Sequence, residues 1–198
     1  YYGSYSSTAN EGSTGVTDAF GTARTYYYQV VGGVARIKRA TDSTGNVMAS
    51  FDASGNVASR TDVNRNQTIY AYDLARNLEI SRTEAYGTAL ARTITTQWHP
   101  VFRLPVKIVA PSGVAGSDEV TDFAYDAQGS LLQKTTSAGG RTRQWNMTYN
   151  AIGQVLTVDG PRTDVNDLTT HTYYDATDPC SGCRGNVKTT TNAAGHLT

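Results

Sequence analysis

Cys180 and Cys183, with His171 and His196 nearby in sequence, are the residues of this chain best suited by type to hold a metal ion. A structural zinc site takes four ligands in paired short spacings, and only one such pair is present. The spacing favours a loop pair, either reduced or joined as a local disulfide, over a metal site. Redox chemistry fits less well, because the two cysteines lie between predicted strands and do not open a helix after a strand.

Nucleophilic catalysis needs a Ser or Cys, a base and an orienting acid within hydrogen-bond reach. His99 and His196 fall in predicted turns, His171 falls on a strand of alternating Thr, and no Gly-x-Ser-x-Gly motif is present. Paired carboxylates could hydrolyse glycosides. Yet Asp42, Asp52, Asp73, Asp126 and Asp175 begin turns or follow a repeated aromatic, which leaves Glu79, Glu84, Asp118, Glu119, Asp122, Asp164 and Asp167 without a common site. Val30-Val31-Gly32-Gly33-Val34 lacks the spacing of a phosphate-binding loop and reads as a hairpin turn. No catalytic residue, metal or cofactor is expected.

Bulk properties exclude further classes. Formal net charge is +0 and 17% of the 198 residues are charged, so no field collects nucleic acid or an anionic membrane. No run reaches the roughly 20 apolar residues that span a bilayer as a helix. The N-terminus, Tyr1-Tyr2-Gly3-Ser4-Tyr5, has neither an initiator Met nor a signal-peptide pattern, and the chain is expected to be cut from something longer. Hydrophobic residues make up 38%, enough for some core, and the excess of Tyr (13), Gly (19), Thr and small polar types favours strands and turns over helices.

An internal repeat organises these residues. An aromatic followed by Asp, His or Asn recurs at Tyr72-Asp73, Trp98-His99, Tyr125-Asp126, Tyr149-Asn150 and Tyr174-Asp175, at intervals of 24 to 27 residues. A common turn chemistry appears at Asp42 to Gly45, Asp52 to Gly55, Asp126 to Gly129, Asn150 to Gly153 and Asn192 to Gly195. The Asp or Asn bonds the backbone two residues on, and the Gly supplies the positive φ of a type I turn closed by a bulge. A polar residue and then an aliphatic one follow each Gly, as in Asn56-Val57, Ser130-Leu131 and Gln154-Val155, where the returning strand begins.

Period-two alternation on both sides of the turn marks strands with one covered face. Tyr70 and Tyr72 share a face, as do Phe123 and Tyr125, and as do Trp145, Met147 and Tyr149. The recurrent rings Tyr72, Trp98, Tyr125, Tyr149 and Tyr174 read as a ladder in which each packs on the equivalent ring of the next hairpin, or alternatively as a platform for sugar rings. Tyr26 and Tyr28 fall on one face and Tyr27 on the other.

Departures from the pattern are informative. The Gly position is Arg76 after Asp73 and Phe102 after His99, so both turns should be distorted. Residues 110 to 120 and 159 to 168 read as longer loops. Residues 1–33 read as a Ser/Thr/Tyr-rich irregular or degenerate hairpin region, and residues 34–198 as the repeat array.

The motif of Tyr-Asp, two residues, Gly, a polar residue and Leu or Val, in register over residues 34 to 198, resembles the Rhs/YD-repeat proteins: bacterial polymorphic toxins, insecticidal toxin-complex components and the animal teneurins. Asp159-Gly160-Pro161-Arg162 and Cys180 to Asn186 are similar to pieces of bacterial Rhs cores. The resemblance implies an all-β fold in which tandem antiparallel hairpins form a curved sheet strip, part of a cocoon-like shell. It implies a non-catalytic structural segment of an exported or cell-surface protein that helps to encapsulate a C-terminal toxin in interbacterial competition. Flanking repeats and that toxin domain are the implied partners. Exposed edge strands add self-association as an expectation. A carbohydrate-binding or adhesion module that uses the repeat aromatics on glycans is the rival reading.

Overall fold

The computed structural model describes residues 2–6, 10–113 and 116–198. These residues form sixteen strands: β1 (Tyr2–Ser6), β2 (Glu11–Thr17), β3 (Ala23–Val31), β4 (Val34–Asp42), β5 (Gly45–Phe51), β6 (Val57–Thr61), β7 (Gln67–Asp73), β8 (Leu78–Glu84), β9 (Arg92–Trp98), β10 (Pro105–Pro111), β11 (Asp118–Tyr125), β12 (Leu131–Ala138), β13 (Arg141–Tyr149), β14 (Val155–Asp159), β15 (Thr169–Tyr173) and β16 (Val187–Thr191). No helix among the described residues is long and apolar enough to cross a membrane.

The chain packs as two compact units, Tyr1–Thr96 and Gln97–Thr198. Within the first, β1 to β9 pair antiparallel in chain order; within the second, β10 to β16 do the same. The position 33/34, where the sequence suggests a division, is the tip of a hairpin: Val31 pairs with Val34 across Gly32 and Gly33, whose φ angles of 58° and 79° are those of a primed hairpin turn. Residues 10–33 lie in paired strands and tight turns. In the 110–120 segment strand pairing runs further than the sequence suggests, because Pro111 and Asp118 still pair, whereas 160–168 is fully loop.

Each unit is a single layer, so burial is shallow. Among the described residues only Leu78 and Ile94 are buried apolar side chains, each 5% exposed. Most strand residues are half-buried, because a sheet without a second layer shields side chains only through cross-strand neighbours. Stability therefore rests on backbone ladders, turns and cross-strand pairs. Hydroxyl pairs are frequent among the latter, as in Ser50–Ser59 (2.7 Å), Thr83–Thr93 (2.8 Å), Thr148–Thr157 (2.6 Å) and Thr172–Thr189 (2.6 Å).

The hairpin turns are one device used repeatedly. Asp126 N–H donates to the Ser130 carbonyl at 3.0 Å, Gly129 N–H donates to the Asp126 carbonyl at 3.1 Å, and Asp126 Oδ1 accepts from the N–H groups of Gln128 and Ser130. Asp52, Asn150 and Asn192 make the same backbone pattern, with Gly55, Gly153 and Gly195 at positive φ. Asp42 differs. It pairs directly with Gly45 across a two-residue loop, with no register shift, so the bulged turn expected there is replaced by a tighter hairpin.

Candidate functional site

A recurrent side-chain linkage joins successive hairpins of the second unit. Tyr125 Oη donates to the Pro105 carbonyl (2.8 Å), Tyr149 Oη to the Leu131 carbonyl (2.9 Å) and Tyr173 Oη to the Val155 carbonyl (2.8 Å). In each case a ring at the end of an outgoing strand reaches back to the first residue of the preceding return strand. The register places them there. Ala124 pairs with Gln133 but Tyr125 with Leu131, Thr148 with Thr157 but Tyr149 with Val155, and Thr172 with Thr189 but Tyr173 with Val187. A bulge thus sits beside every ladder tyrosine, adding local twist where the ring must lean toward its neighbour.

This geometry changes two expectations. Among the described residues Tyr125, Tyr149 and Tyr173 do not stack on one another; the ring contacts of Tyr125 are with His99 (6.4 Å, edge-on) and Phe123 (6.5 Å). Equivalent tyrosines lie two strands apart, roughly 10 Å at the usual strand spacing, beyond ring contact. The ladder is carried instead by a hydroxyl bonded to backbone. The second correction concerns Tyr174, which is not the ladder residue; Tyr173 is. Tyr174 occupies the first turn position, donating its N–H to the Asn186 carbonyl (3.0 Å) and accepting from Gly185 N–H (2.8 Å), the pattern that Asp126 makes with Ser130 and Gly129.

The last hairpin is therefore the common turn with an insertion. Gly185 stands eleven residues after Tyr174, where Gly129 stands three after Asp126. The inserted loop is held by Asp175, which accepts from Thr177 N–H at 2.7 Å, by Arg184 Nε donating to the Asp178 carbonyl at 2.9 Å, and by a disulfide between Cys180 and Cys183. Of the alternatives open to this cysteine pair, the structure has the disulfide. The neighbouring turn ties on through Gln154 Nε2, which donates to the Gly185 carbonyl at 2.7 Å. No cluster of three or more metal-ligating side chains occurs among the described residues.

The other aromatics behave unequally. Trp98 ends β9 in the ladder position, and the next turn is one residue longer than usual: His99 N–H donates to the Leu104 carbonyl, and His99 Nδ1 accepts from Val101 and Phe102 N–H. The His ring thus does the work of the missing Asp. Phe102 stacks on it at 4.9 Å, and Phe102 and Leu104 lie against Gly129. Tyr72 is beside a register shift at Ala71/Tyr72, so that irregularity persists without the Gly; the left-handed residue is Asn77 (φ 54°), one position past Arg76. Burial, with Glu79 nearby, raises the Tyr72 hydroxyl above its ordinary pKa, and burial does the same for Tyr125.

Turn carboxylates are shifted the other way. The Ser130 N–H holds Asp126 below the ordinary aspartate value, and the Asn66 side chain does so for Asp62. At Asp52 desolvation is the largest single influence and pushes upward, but hydrogen bonds from Asn56, Ser54 and Gly55 together outweigh it. Four of the remaining acids are dispersed into ion pairs: Glu79 and Glu84 both meet Arg82 at 3.2 Å, Asp122 meets Lys107 and Asp164 meets Arg162. His171 Nδ1 is hydrogen-bonded with Thr190 Oγ1, and His196 N–H donates to Asn192 Oδ1. The His171–Thr190 pair has no orienting carboxylate bonded to its imidazole among the described residues.

Sequence reasoning missed three features. Asp18 to Thr22 makes the common turn, with Gly21 at φ 83°. Asp62 to Asn66 makes it with Arg65 at φ 66° where Gly is usual. Asp18-x-x-Gly21 was legible; Asp62 was hidden because its Gly is absent, although Asn66 marks the position by donating from Nδ2 to Asp62 Oδ2. Tyr173 was masked by the adjacent Tyr174-Asp175 pair.

Comparison with known proteins gives a family-model match over one stretch and a likeness of fold. Residues 51–89 match the RHS Repeat family model, a stretch that holds the Asp52, Asp62 and Asp73 turns. The fold matches the crystal structure of TcdB2-TccC3-Cdc42 with a TM-score of 0.60 at 13% identity, over 83% of this chain and 10% of that one. It matches TcdB2-TccC3 without hypervariable C-terminal region with a TM-score of 0.61, at the same identity and coverage. The chain thus spans about a tenth of the length of these structures. No curated protein matches the sequence.

Proposed function

We propose that this chain, an antiparallel hairpin array carrying an RHS repeat, forms part of the wall of a shell that encloses a toxin polypeptide in an exported bacterial protein. The observation that carries the reading is the backbone-bonded tyrosine ladder. In the second unit three successive hairpins are each fastened to the one before by a ring whose hydroxyl is spent on main chain. Such a linkage propagates a sheet without limit and leaves no reactive group over, as a wall requires and an active site does not. The likeness to the TcdB2-TccC3 structures supports the same reading through the fold. Flanking repeats and an enclosed domain of the same parent protein are its partners.

The carbohydrate alternative is weakened by the same bonds, because Tyr125, Tyr149 and Tyr173 are half-buried with their hydroxyls committed. The test is protease protection in the intact parent protein. Enclosure predicts that its C-terminal domain resists digestion while the wall is whole, and is cleaved when one hairpin of residues 97–198 is deleted. Equal cleavage of the domain with and without that deletion would overturn the reading.

A further inference from the structure

We infer that the first unit carries a docking groove for an extended segment of a partner protein, held by one acidic side chain of that segment on Arg39. The groove is about 690 Å³, and its lining runs from Ser4 on β1 to Ser50 on β5. Five adjacent strands span roughly 19 Å at the usual spacing, the reach of about five or six extended residues. A compact ligand would fill only part of that length. The Arg39 guanidinium lies over the Tyr27 ring, with Cζ 3.7 Å from the centroid. Its Nε is buried without a hydrogen-bond partner, and no ion pair among the described residues uses it. The two Nη groups are therefore the end left for a ligand. Stacking on the ring fixes the plane of the fork, which is the condition under which a guanidinium takes a carboxylate through two parallel hydrogen bonds.

Charge and lining narrow the partner. Lys38, the other cation in the lining, is ion-paired with Glu11, so the groove presents one uncommitted positive charge and is matched by a single carboxylate. A nucleic acid would find no row of cations along it. The polar lining suits a peptide backbone on either side of that carboxylate. Ser4 pairs with Ser13 and Ser50 with Ser59 through their hydroxyls, and each pair uses one of its two protons, which leaves the other to donate to a peptide carbonyl. The Gln29 amide can accept from a peptide N–H as well as donate. Met48, 48% exposed, offers an adaptable apolar surface to a neighbouring side chain of the segment. The segment lies across the strands and does not extend the sheet, because β2 to β5 are each paired on both sides. None of the clasp tyrosines lines the groove, and the inference does not rest on the shell reading.

NMR titration of the isotope-labelled whole chain with a capped alanine-serine hexapeptide carrying one central glutamate tests the assignment. Its glutamine analogue and N-acetylglutamate amide are the controls. The glutamate peptide should bind and move the resonances of Tyr27, Arg39 and Ser50. The glutamine analogue and the single amino acid should each bind at least about tenfold more weakly, and Arg39→Gln should lose about tenfold or more. Arg39→Lys keeps the charge and most of the packing, so it reports on the fork if Arg39→Gln disturbs the fold; it should also bind more weakly than the native chain. Absence of glutamate-peptide binding, equal binding of the glutamine analogue, equal binding of the single amino acid, or unchanged affinity in Arg39→Lys would each overturn the inference.

Discussion

The Tyr149 hydroxyl donates to the main-chain carbonyl of Leu131 from one hairpin to the one before it, at 2.9 Å. The contact spans 18 residues of sequence and recurs at Tyr125–Pro105 and Tyr173–Val155, so it acts as a clasp between repeats. Its removal separates the hydroxyl from the ring. Tyr149→Phe should cost about 1 kcal/mol, the net worth of one hydrogen bond, in urea unfolding of the chain. Tyr149→Ala also deletes the ring and should cost about 3 kcal/mol or more. If Tyr149→Phe unfolds like the native chain while Tyr149→Ala does not, the ring and not the clasp carries the linkage.

Assignment of the last ladder place to Tyr173 separates two neighbours that the sequence treats alike. Tyr173→Phe should destabilise by about 1 kcal/mol, whereas Tyr174→Phe should be neutral because no described hydrogen bond uses the Tyr174 hydroxyl. Thermal unfolding of both variants decides it. A larger loss for Tyr174→Phe would restore the sequence-based choice.

The turn carboxylates make stability fall in acid. Asp126 and Asp62 have folded pKa values below the ordinary 3.8. Their contribution is fully present above that unfolded value and is lost as pH falls through the folded one. Asn150 and Asn192 make the same turn without a titrating group. Asp126→Asn should therefore fold as well as the native chain near neutral pH and show a shallower loss below about pH 4. An unchanged acid limb in thermal melts from about pH 5 to pH 2 would count against this origin.

Arg65 holds a left-handed conformation at φ 66° in the place where five equivalent turns have Gly. A non-glycine residue there carries roughly 1 kcal/mol of strain, so Arg65→Gly should raise the stability of the β6–β7 hairpin by up to about 1 kcal/mol. The converse change, Gly153→Ala at φ 84°, meets no neighbour within 4 Å and should cost about 1 kcal/mol from backbone strain alone. Paired denaturation curves give both signs.

The Cys180–Cys183 disulfide lies within the inserted loop and not between strands. Its reduction should loosen residues 175–184 while β15 and β16 remain paired through Thr170, His171, Thr172 and Tyr173. Amide exchange measured with and without a dithiol reductant should show faster exchange confined to that loop. Loss of protection across β16 would mean that the disulfide supports the sheet.

The all-β class, the hairpin turns at Asp52, Asp126, Asn150 and Asn192, and the shared face of Phe123 and Tyr125 were legible in the sequence. Each depends on residues within one hairpin: a short side chain that bonds the local backbone, a Gly free to take positive φ, and alternation along one strand. The sequence by itself therefore determined the unit that repeats. Tertiary structure alone decided what joins one unit to the next. That Tyr173 and not Tyr174 takes the ladder place follows from the register between β15 and β14, and the Tyr27–Arg39 stack follows from pairing of β3 with β4 across a bulge. Register is a property of two strands at once, and a slip of one residue turns every side chain to the opposite face, so no pattern within a single strand can specify it.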